Sequence, residues 1–415
     1  MPPMKNFLQM SLIGLIASTT QVLGASYDTL PKGVNLAVFK QVFTSKITSK
    51  YDTNSQDESL SLKENFNSNK LENISTIIKS YFNELKGISP DIYNQFSLGE
   101  FKAEAYAEAT AQGLGFAHGL TDHLTVYASI PIYHLKTNVT FRQSQASSLA
   151  AIKNSLANIE TTTADATFVR QLTMQLPETN EQLLQSLVVN FYGYKALGKW
   201  EKDSLGDTEI GAIYRLTDTA DKGLALGAGT VLPTGEVDDP DSLQDVPTGD
   251  GQFDVYLESM AGINFFEGEL QFDIKTRYTY QISSTKVMRK VDDSNLPLSR
   301  SKIALIEKLG NKIDSTFTIT YNPTIWLNVN SSLIYNQTAA SNYDTQETNV
   351  KTALESNTAG DSEWGKIGVG FSSVELYKRK KIEAPFEINI SAQKLLNATN
   401  SANYNRYDLD FKLYF

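Results

Sequence analysis

The 415-residue sequence contains no cysteine. It therefore has no disulfide framework, no thiolate metal site and no cysteine to which a lipid could be attached after a signal peptide. It also lacks any apolar run approaching the roughly 18 residues that a transmembrane helix needs, which excludes a helical membrane protein. Basic residues are in deficit, with a net charge of −10, and this argues against nucleic-acid binding, which requires basic stripes.

The N-terminus has the pattern of a secretory signal peptide. A short basic start, Met1 to Lys5, precedes the apolar run Phe7 to Ala17, and Val22-Leu23-Gly24 offers compact residues before Ala25. We therefore expect residues 1–24 to be a signal peptide that is cut near Gly24. Secretion of a chain without cysteine is typical of a Gram-negative envelope protein, so the expected localisation is the cell outer membrane.

The C-terminal segment 405–415 alternates between apolar and charged residues. On a strand, successive side chains point to opposite faces. One face then carries Tyr407, Leu409, Phe411, Leu413 and Phe415, and the other carries Arg406, Asp408, Asp410 and Lys412. This resembles the closing strand of bacterial outer-membrane β-barrels, with lipid on the apolar side and the lumen on the charged side. We expect the five apolar residues to be the signal that the barrel-assembly machinery recognises.

The same alternation recurs along the chain in about twelve strands, and every other connection is short. An even strand number with alternating short and long connections is typical of single-chain outer-membrane barrels. We therefore predict an all-β fold for residues 25–415, a transmembrane antiparallel β-barrel with partly helical outward loops at about 52–98 and 142–204. A third loop, 233–252, is rich in Gly, Pro and Asp, and we expect it to be solvated.

One helix is predicted in the first long loop, where apolar residues from Ile74 to Leu85, among them Ile77 and Phe82, recur at helical spacing. Its apolar stripe must be buried. The stripe either closes the outer mouth of the barrel as a gate or packs against the helix that contains Leu149.

The strand phases also predict which charged residues face the lumen. In the second strand, we assign the alanines from Ala103 to Ala111 to one face and the acidic residues to the lumen. The predicted lumen residues are Glu104, Glu108, Asp207, Glu209, Arg215, Asp254, Glu258, Asp273, Lys275, Arg277, Asp408 and Asp410. On these phases acidic groups exceed basic ones. Two interpretations are open: a wet pore biased toward cations, or a paired ion network that fills a closed barrel.

Little in the sequence indicates catalysis. Two of the three histidines, His118 and His123, bracket a short turn, and we interpret them as ordinary polar residues. His134 lies on a strand, as the base of an outer-membrane phospholipase would, but no serine lies beside it in the predicted register. We therefore expect no enzyme activity, no cofactor and no metal site.

Two blocks of sequence resemble a known family. The first is residues 113–132, Gly-Leu-Gly-Phe-Ala-His-Gly-Leu-Thr-Asp-His-Leu-Thr-Val-Tyr-Ala-Ser-Ile-Pro-Ile, and the second is the pair of segments 206–216 and 224–235. Both are similar to hairpins of the outer-membrane transporters of the MetA-pathway-of-phenol-degradation family. The resemblance implies passage of small solutes, among them hydrophobic or aromatic molecules. The long helical loops depart from the shorter loops that we expect in that family.

The sequence therefore predicts an outer-membrane channel for passive uptake or efflux of small solutes. Its expected partners are outer-membrane lipid, the barrel-assembly machinery and a small-molecule solute, with no nucleic acid. The alternative is a non-conducting barrel whose loops bind a partner at the cell surface.

Overall fold

A computed structural model describes residues 26–73, 76–217, 219, 221–291 and 298–415. The predicted signal peptide, residues 1–24, and Ile74 of the predicted helix lie outside these ranges. The chain forms two compact units. Of the described residues, the barrel unit comprises those within 26–59, 106–137 and 199–415, and the helical unit comprises those within 60–105 and 138–198. Among the described residues, no helix is long and apolar enough to cross a membrane.

Twelve antiparallel strands form the barrel, as the sequence predicts. They are β1 (Asn35–Thr44), β2 (Ser97–Thr121), β3 (Leu124–Gln145), β4 (Thr208–Arg215), β5 (Lys222–Leu232), β6 (Asp254–Phe265), β7 (Leu270–Gln281), β8 (Lys312–Thr324), β9 (Leu327–Thr338), β10 (Gly360–Ser372), β11 (Phe386–Thr399) and β12 (Asn405–Tyr414). Each strand pairs with its neighbours in sequence, and β1 also pairs with β12. That last pairing closes the ring, so no edge strand is left exposed in the barrel.

The closing pair shows why these residues form strands of a membrane barrel. Phe39 stands opposite Phe411, and Phe43 stands opposite Tyr407, on the outer face of β1 and β12. On the inner face Lys40 stands opposite Asp410. An apolar outer face that alternates with a polar inner face suits lipid on one side and a lumen on the other.

The two ends of the barrel differ. At the short-turn end, β2–β3, β4–β5, β6–β7, β8–β9 and β10–β11 are joined by brief connections, the longest of which contains the helix Val374–Lys378. At the long-connection end, the β7–β8 connection contains the paired strands Ser284–Arg289 and Lys302–Lys308. The second of these also pairs with Asn342–Asp344 from the β9–β10 connection, which continues into the helix Thr348–Glu355. The long-connection end is therefore covered by ordered structure.

Further short strands extend the sheet or join its connections. Leu62–Asn67 pairs with β2, and Lys199–Leu205 is hydrogen-bonded to β3. Ser49–Tyr51, Asp57–Ser59 and Ser401–Asn403 form a small separate sheet. None of these short strands belongs to the closed ring of twelve.

The helical unit contains α1 (Ser68–Leu71), α2 (Thr76–Ile88), α3 (Pro90–Gln95), α4 (Leu149–Ala157), α5 (Ala164–Gln175), α6 (Glu181–Ser186) and a π-helical turn (Leu187–Phe191). Side-chain caps fix several of these starts: the side chain of Ser89, for example, accepts a hydrogen bond from the backbone N–H of Ile92. The apolar stripe of α2 packs mainly against α3 and α5, and Phe82 shares one buried core with Leu149 of α4, which agrees with the second of the two predicted alternatives. Ile77 does not belong to that core and is 82% exposed.

Truncation of Leu85 should loosen the helical unit and leave the barrel intact. Leu85 is fully buried in the core of the helical unit, so Leu85→Ala should cost about 2–5 kcal/mol there through lost contacts and a cavity. Hydrogen exchange in α2 should rise strongly, whereas the gel migration that distinguishes a folded barrel from an unfolded one should not change. Ile77→Ala on the same helix is the control and should alter neither measurement. If the α2 amides of Leu85→Ala were as protected from hydrogen exchange as those of the wild type, this core would not be what stabilises α2.

Candidate functional site

The inner face of the barrel carries most of the charged residues that the sequence predicts for a lumen. Inner positions, buried or half-buried, are occupied by Glu209, Arg215, Asp254, Glu258, Asp273, Lys275, Arg277, Asp408 and Asp410. Asp207 lies in the break before β4, where it accepts hydrogen bonds from the backbone N–H groups of Gly235 (2.9 Å) and Asp250 (3.3 Å). That these side chains line an open pore stays a prediction.

The predicted phase of β2 is wrong. Glu108 lies on the exposed outer face of β2 together with Leu114 and Phe116, and the alanines at 107, 109 and 111 face inward. Small residues line the inward face of β2 because a long side chain of the neighbouring strand occupies the interior there. Lys40 of β1 stands opposite Gly113. The alternation of alanine with charged residues does not indicate which face of β2 meets lipid and which faces the barrel interior.

Glu104 also differs from its predicted position. It belongs to the helical unit, where its carboxylate pairs with Lys102 at 2.6 Å, and both side chains are nearly half exposed. An exposed ion pair of this kind contributes little to stability. Glu104 and Glu108 are therefore not part of the charged interior.

Once Glu104 and Glu108 are left out, acidic and basic residues on the inner faces of the barrel strands are equal in number. The acidic set is Glu209, Asp254, Glu258, Asp273, Asp314, Glu387, Asp408 and Asp410, and the basic set is Lys40, Arg215, Lys275, Arg277, Lys312, Lys366, Arg406 and Lys412. The predicted acidic excess is wrong for the barrel wall because Glu104, Glu108 and Asp207 do not lie on the inner faces of its strands, whereas Lys40 and Lys312 do. Lys40 could have been found from its strand, since Phe39 and Phe43 mark the opposite face as the outer one.

The first cluster of inner charges joins β4, β6 and β7. Arg277 is 4% exposed and lies 2.9 Å from Glu209 and 3.7 Å from Glu258, and its guanidinium stacks 3.6 Å from the ring centre of Tyr256. Lys275 pairs with Glu258 at 2.8 Å. The carboxylate of Glu209 also accepts a hydrogen bond from the Tyr256 hydroxyl at 3.0 Å. Two carboxylates are thus neutralised by two cations in the interior.

A second cluster lies on β1 and β12. The Lys40 ammonium is 3.3 Å from Asp408 and 3.2 Å from Asp410, and Arg406 pairs with Asp408 at 2.7 Å. The side chain of Gln393 donates a further hydrogen bond to Asp408 at 3.0 Å. Lys40, Arg406 and Asp408 are each at most 4% exposed. These contacts support the paired ion network, the second of the two interpretations of the charged lumen.

A large cavity opens on the long-connection side of these clusters. This chamber measures about 620 Å³ and reaches Glu209, Arg277 and Arg406 of the barrel wall. Apolar and aromatic side chains from the wall and the connections complete its lining: Tyr133, Val231, Val237, Val287, Met288, Leu309, Ile334, Trp364 and Tyr404. A volume of this size lies within the range of small-molecule sites in proteins.

The β5–β6 connection helps to enclose the chamber and is not the solvated loop that the sequence predicts. Residues 244–250 are all buried. The Thr137 hydroxyl donates to the Gln244 carbonyl at 2.9 Å, and Asp241 pairs with Arg289 at 2.6 Å and with Lys302 at 2.5 Å. These two cations hold the pKa of Asp241 below its usual range. The loop is therefore anchored to its surroundings in the barrel unit.

The N-terminal segment fills the short-turn end of the barrel interior. Tyr27 is 4% exposed, its hydroxyl accepts a hydrogen bond from Asn264 at 3.0 Å, and its ring lies against Gly223 and Gly262 so closely that a Cβ on either glycine would overlap it. Leu30 is fully buried, and its backbone N–H donates to the Thr125 hydroxyl at 2.7 Å.

Between this segment and the chamber lies a second cavity of only about 40 Å³, lined by Ser26, Lys40, Asp273, Lys275 and Lys366 among others. Ile334 and Gln393 line both cavities. The interior thus narrows from the chamber, past the charged clusters, to the N-terminal segment. No local pattern indicates the position of this segment, because its contacts are with residues far away in the chain.

The histidines make polar contacts that do not indicate a nucleophile. The ring of His118 is 2.8 Å from the Asn35 side chain, and His134, on the outer face of β3, pairs with Asp203. A hydrolytic dyad needs a serine or a similar nucleophile at hydrogen-bond distance from the base. These contacts give no support to an envelope hydrolase.

No protein-family model and no curated protein matches the chain. Among solved structures it is similar to the COG4313 outer membrane channel from Pseudomonas putida F1, with a TM-score of 0.53, 11% identity and coverage of 95% of this chain and 100% of that one. A FadL homologue from Pseudomonas aeruginosa (TM-score 0.34, 9% identity, 94% and 92% coverage) and the toluene transporter TbuX from Ralstonia pickettii (0.38, 9%, 99% and 99%) match more weakly. The predicted fold is confirmed: the chain has the closed barrel of an outer-membrane channel.

Proposed function

We propose that the protein is an outer-membrane channel that lets small solutes cross passively, and that its chamber is where the solute resides. The single observation that carries the proposal is a closed barrel, apolar outside, that encloses a cavity of about 620 Å³ lined by both apolar and charged side chains. A barrel that served only as an anchor would not need such a cavity. The long-connection end would face the outside of the cell and the short-turn end the periplasm.

The lining favours solutes with an apolar or aromatic body. The rings of Trp364 and Tyr404 meet at the chamber wall in a tilted arrangement, with centres 4.9 Å apart. Aromatic rings of a solute gain from such neighbours through offset or edge contacts. The P. putida relative is described as a channel, and the TbuX relative as a toluene transporter. Uptake and efflux are both compatible with passive passage.

The outer face of β12 fits the predicted role in assembly. Tyr407, Leu409 and Phe411 alternate with inner residues, and Phe415 is 62% exposed just beyond the last strand residue. We propose that these residues, with Leu413, form the C-terminal signal for the barrel-assembly machinery.

Single-channel recording tests the proposal. The chain from residue 25 onward, refolded and inserted into a planar bilayer, should give discrete current steps of small, uniform size, because the pathway narrows at the charged clusters and again at Tyr27. Swelling of liposomes that carry the protein should in addition show passage of small aromatic alcohols. A barrel that is folded by gel migration and gives no steps, even with Tyr27 truncated, would overturn the channel.

One observation favours a second candidate, a non-conducting barrel that binds a surface partner. The N-terminal segment and the ion network together occupy the interior below the chamber. If the network is closed, no truncation at the short-turn end will produce current. The Tyr27 variants therefore separate the two candidates.

A further inference from the structure

We propose that the chamber selects organic cations, and that a protonated amine on an apolar or aromatic body is the solute class it binds. This inference rests on the proposed channel function. Two parts of the interior differ in charge. On the barrel wall, acidic and basic residues balance, whereas the chamber gains extra carboxylates from the connections.

The extra negative charge is concentrated around Asp254. Asp207, Asp250 and Asp254 all line the chamber, and their charges act on one another. Asp314 lines the same cavity. The charge of Lys312 reaches Asp207, Asp254 and Asp314, and the charges of Arg277 and Lys275 also reach Asp314. Asp207, Asp250 and Asp254 thus share one ammonium, which leaves a local excess of negative charge.

Other cations of the lining are already engaged with different carboxylates. Arg277 pairs with Glu209, Arg406 with Asp408, and Lys286 with Glu307. They therefore cannot neutralise the group around Asp254 without giving up their present partners. The excess belongs to the chamber itself.

Asp254 supplies an independent sign of a missing partner. Its side chain is 3% exposed, it lines the chamber, and its Oδ1 has no hydrogen-bond partner. A buried carboxylate oxygen without a partner costs free energy that a bound cation would recover. An ammonium group, with several N–H donors, can pair with Asp254 and its neighbours at once.

The remaining lining argues for an organic cation and against a metal ion. In the described ranges no group of three or more His, Cys, Asp or Glu is placed to hold a metal. The chamber also far exceeds the size of a single ion, and Tyr133, Trp364 and Tyr404 line it. Aromatic faces attract organic cations, so carboxylate and ring together suit a protonated amine.

The titration of Asp207 predicts how cation preference should depend on pH. Asp207 lies outside the barrel strands, and its burial raises its pKa to about 6. The charge of Asp250 also raises this pKa, whereas Lys312 and the backbone N–H groups of Gly235 and Asp250 lower it. Below that pH the carboxyl is neutral, and above it the charge is present. With Asp254 beside it and Tyr133 nearby on β3, cation preference should therefore rise from about pH 5 to about pH 7.

The test uses the refolded chain in a planar bilayer under a KCl gradient, with phenethylammonium, phenylacetate and benzyl alcohol as probes. The reversal potential should show preference for K⁺, and phenethylammonium should block the current while phenylacetate should not. In D207N/D254N the half-blocking concentration should rise about tenfold and the K⁺ preference should fall. Glu108→Gln, on the outer face of β2, is the matched control and should behave as the wild type.

The outcomes separate the two proposals. A folded protein without current steps, both as the wild type and with Tyr27 truncated, would overturn the channel itself. Current steps with anion preference, or equal block by phenethylammonium and phenylacetate, would overturn the cation chamber and leave the channel standing. Cation block that is the same in wild type and D207N/D254N would also overturn the assignment to these carboxylates. Asp314→Asn gives a second variant with the same expected direction should the double variant fail to fold.

Discussion

Truncation of Tyr27 to alanine is expected to raise the single-channel conductance several-fold. The ring is almost fully buried in the interior at the short-turn end, where it lies against Gly223 and Gly262 of the neighbouring strands β5 and β6. Alanine keeps the backbone contacts of the segment and removes only the ring, so the expected change is a wider passage in an otherwise unchanged barrel. The measurement is the mean current step in a planar bilayer at fixed salt.

The wall opposite the ring provides an independent variant. Gly223 of β5 leaves the space that the Tyr27 ring occupies, and a Cβ there would overlap the ring. Gly223→Ala should therefore displace Tyr27 and raise the conductance as Tyr27→Ala does. A strand accepts alanine without backbone strain at this position, because Gly223 does not have a positive φ.

Tyr278→Ala is the control, since Tyr278 is an outward-facing tyrosine of β7 that is 43% exposed. It should leave the step size unchanged. If both interior variants conduct as the wild type does, the N-terminal segment is not the narrowest point. If neither they nor the wild type conduct at all, the charged network closes the barrel, and the surface-binding candidate is favoured.

The barrel could be predicted from sequence because its strands obey a local rule. Inner and outer residues alternate with period two, and the sharpest case, Tyr407 to Phe415, has the predicted faces. The charged interior followed from the same rule at Glu258, Arg277 and Asp408. Each of these assignments needed only the identity of nearby residues and a decision about which face meets lipid.

The errors arise where that decision depends on distant residues. In β2 either face could be the one that meets lipid, as far as neighbouring residues tell, because alanine is compatible with both lipid and lumen. Only the pairing of β2 with β1, which brings Gly113 opposite Lys40, decides between the two faces. The segment around Tyr27 and the buried loop 244–250 are held by side chains from other strands and connections, at separations that no local pattern encodes. The chamber, the buried loop and the position of the N-terminal segment can therefore be seen only in the structure and not in the sequence pattern.

Arg277 should be the most costly inner side chain to replace. It is 4% exposed and is the cation closest to Glu209, and it also faces Glu258. Removal of one partner from a buried ionic group leaves the other charges uncompensated, which typically costs about 3–5 kcal/mol. We expect Arg277→Met, which conserves length and loses the charge, to lower the free energy of unfolding by an amount in that range.

Equilibrium unfolding in guanidinium, with the barrel in phospholipid bilayers and followed by tryptophan fluorescence, measures this change. The destabilisation comes mainly from buried carboxylates that are left without a cation. Adding Glu209→Gln to Arg277→Met should therefore recover part of the lost stability, and the effects of the two substitutions should be strongly non-additive. Lys222→Met, exposed at the start of β5, should change stability by no more than about 0.5 kcal/mol. Full additivity, or wild-type stability in Arg277→Met, would mean that the guanidinium is not what neutralises this part of the interior. Since Arg277 also borders the chamber, the same variant should shift the reversal potential toward stronger cation preference, which separates its electrostatic role from simple space filling.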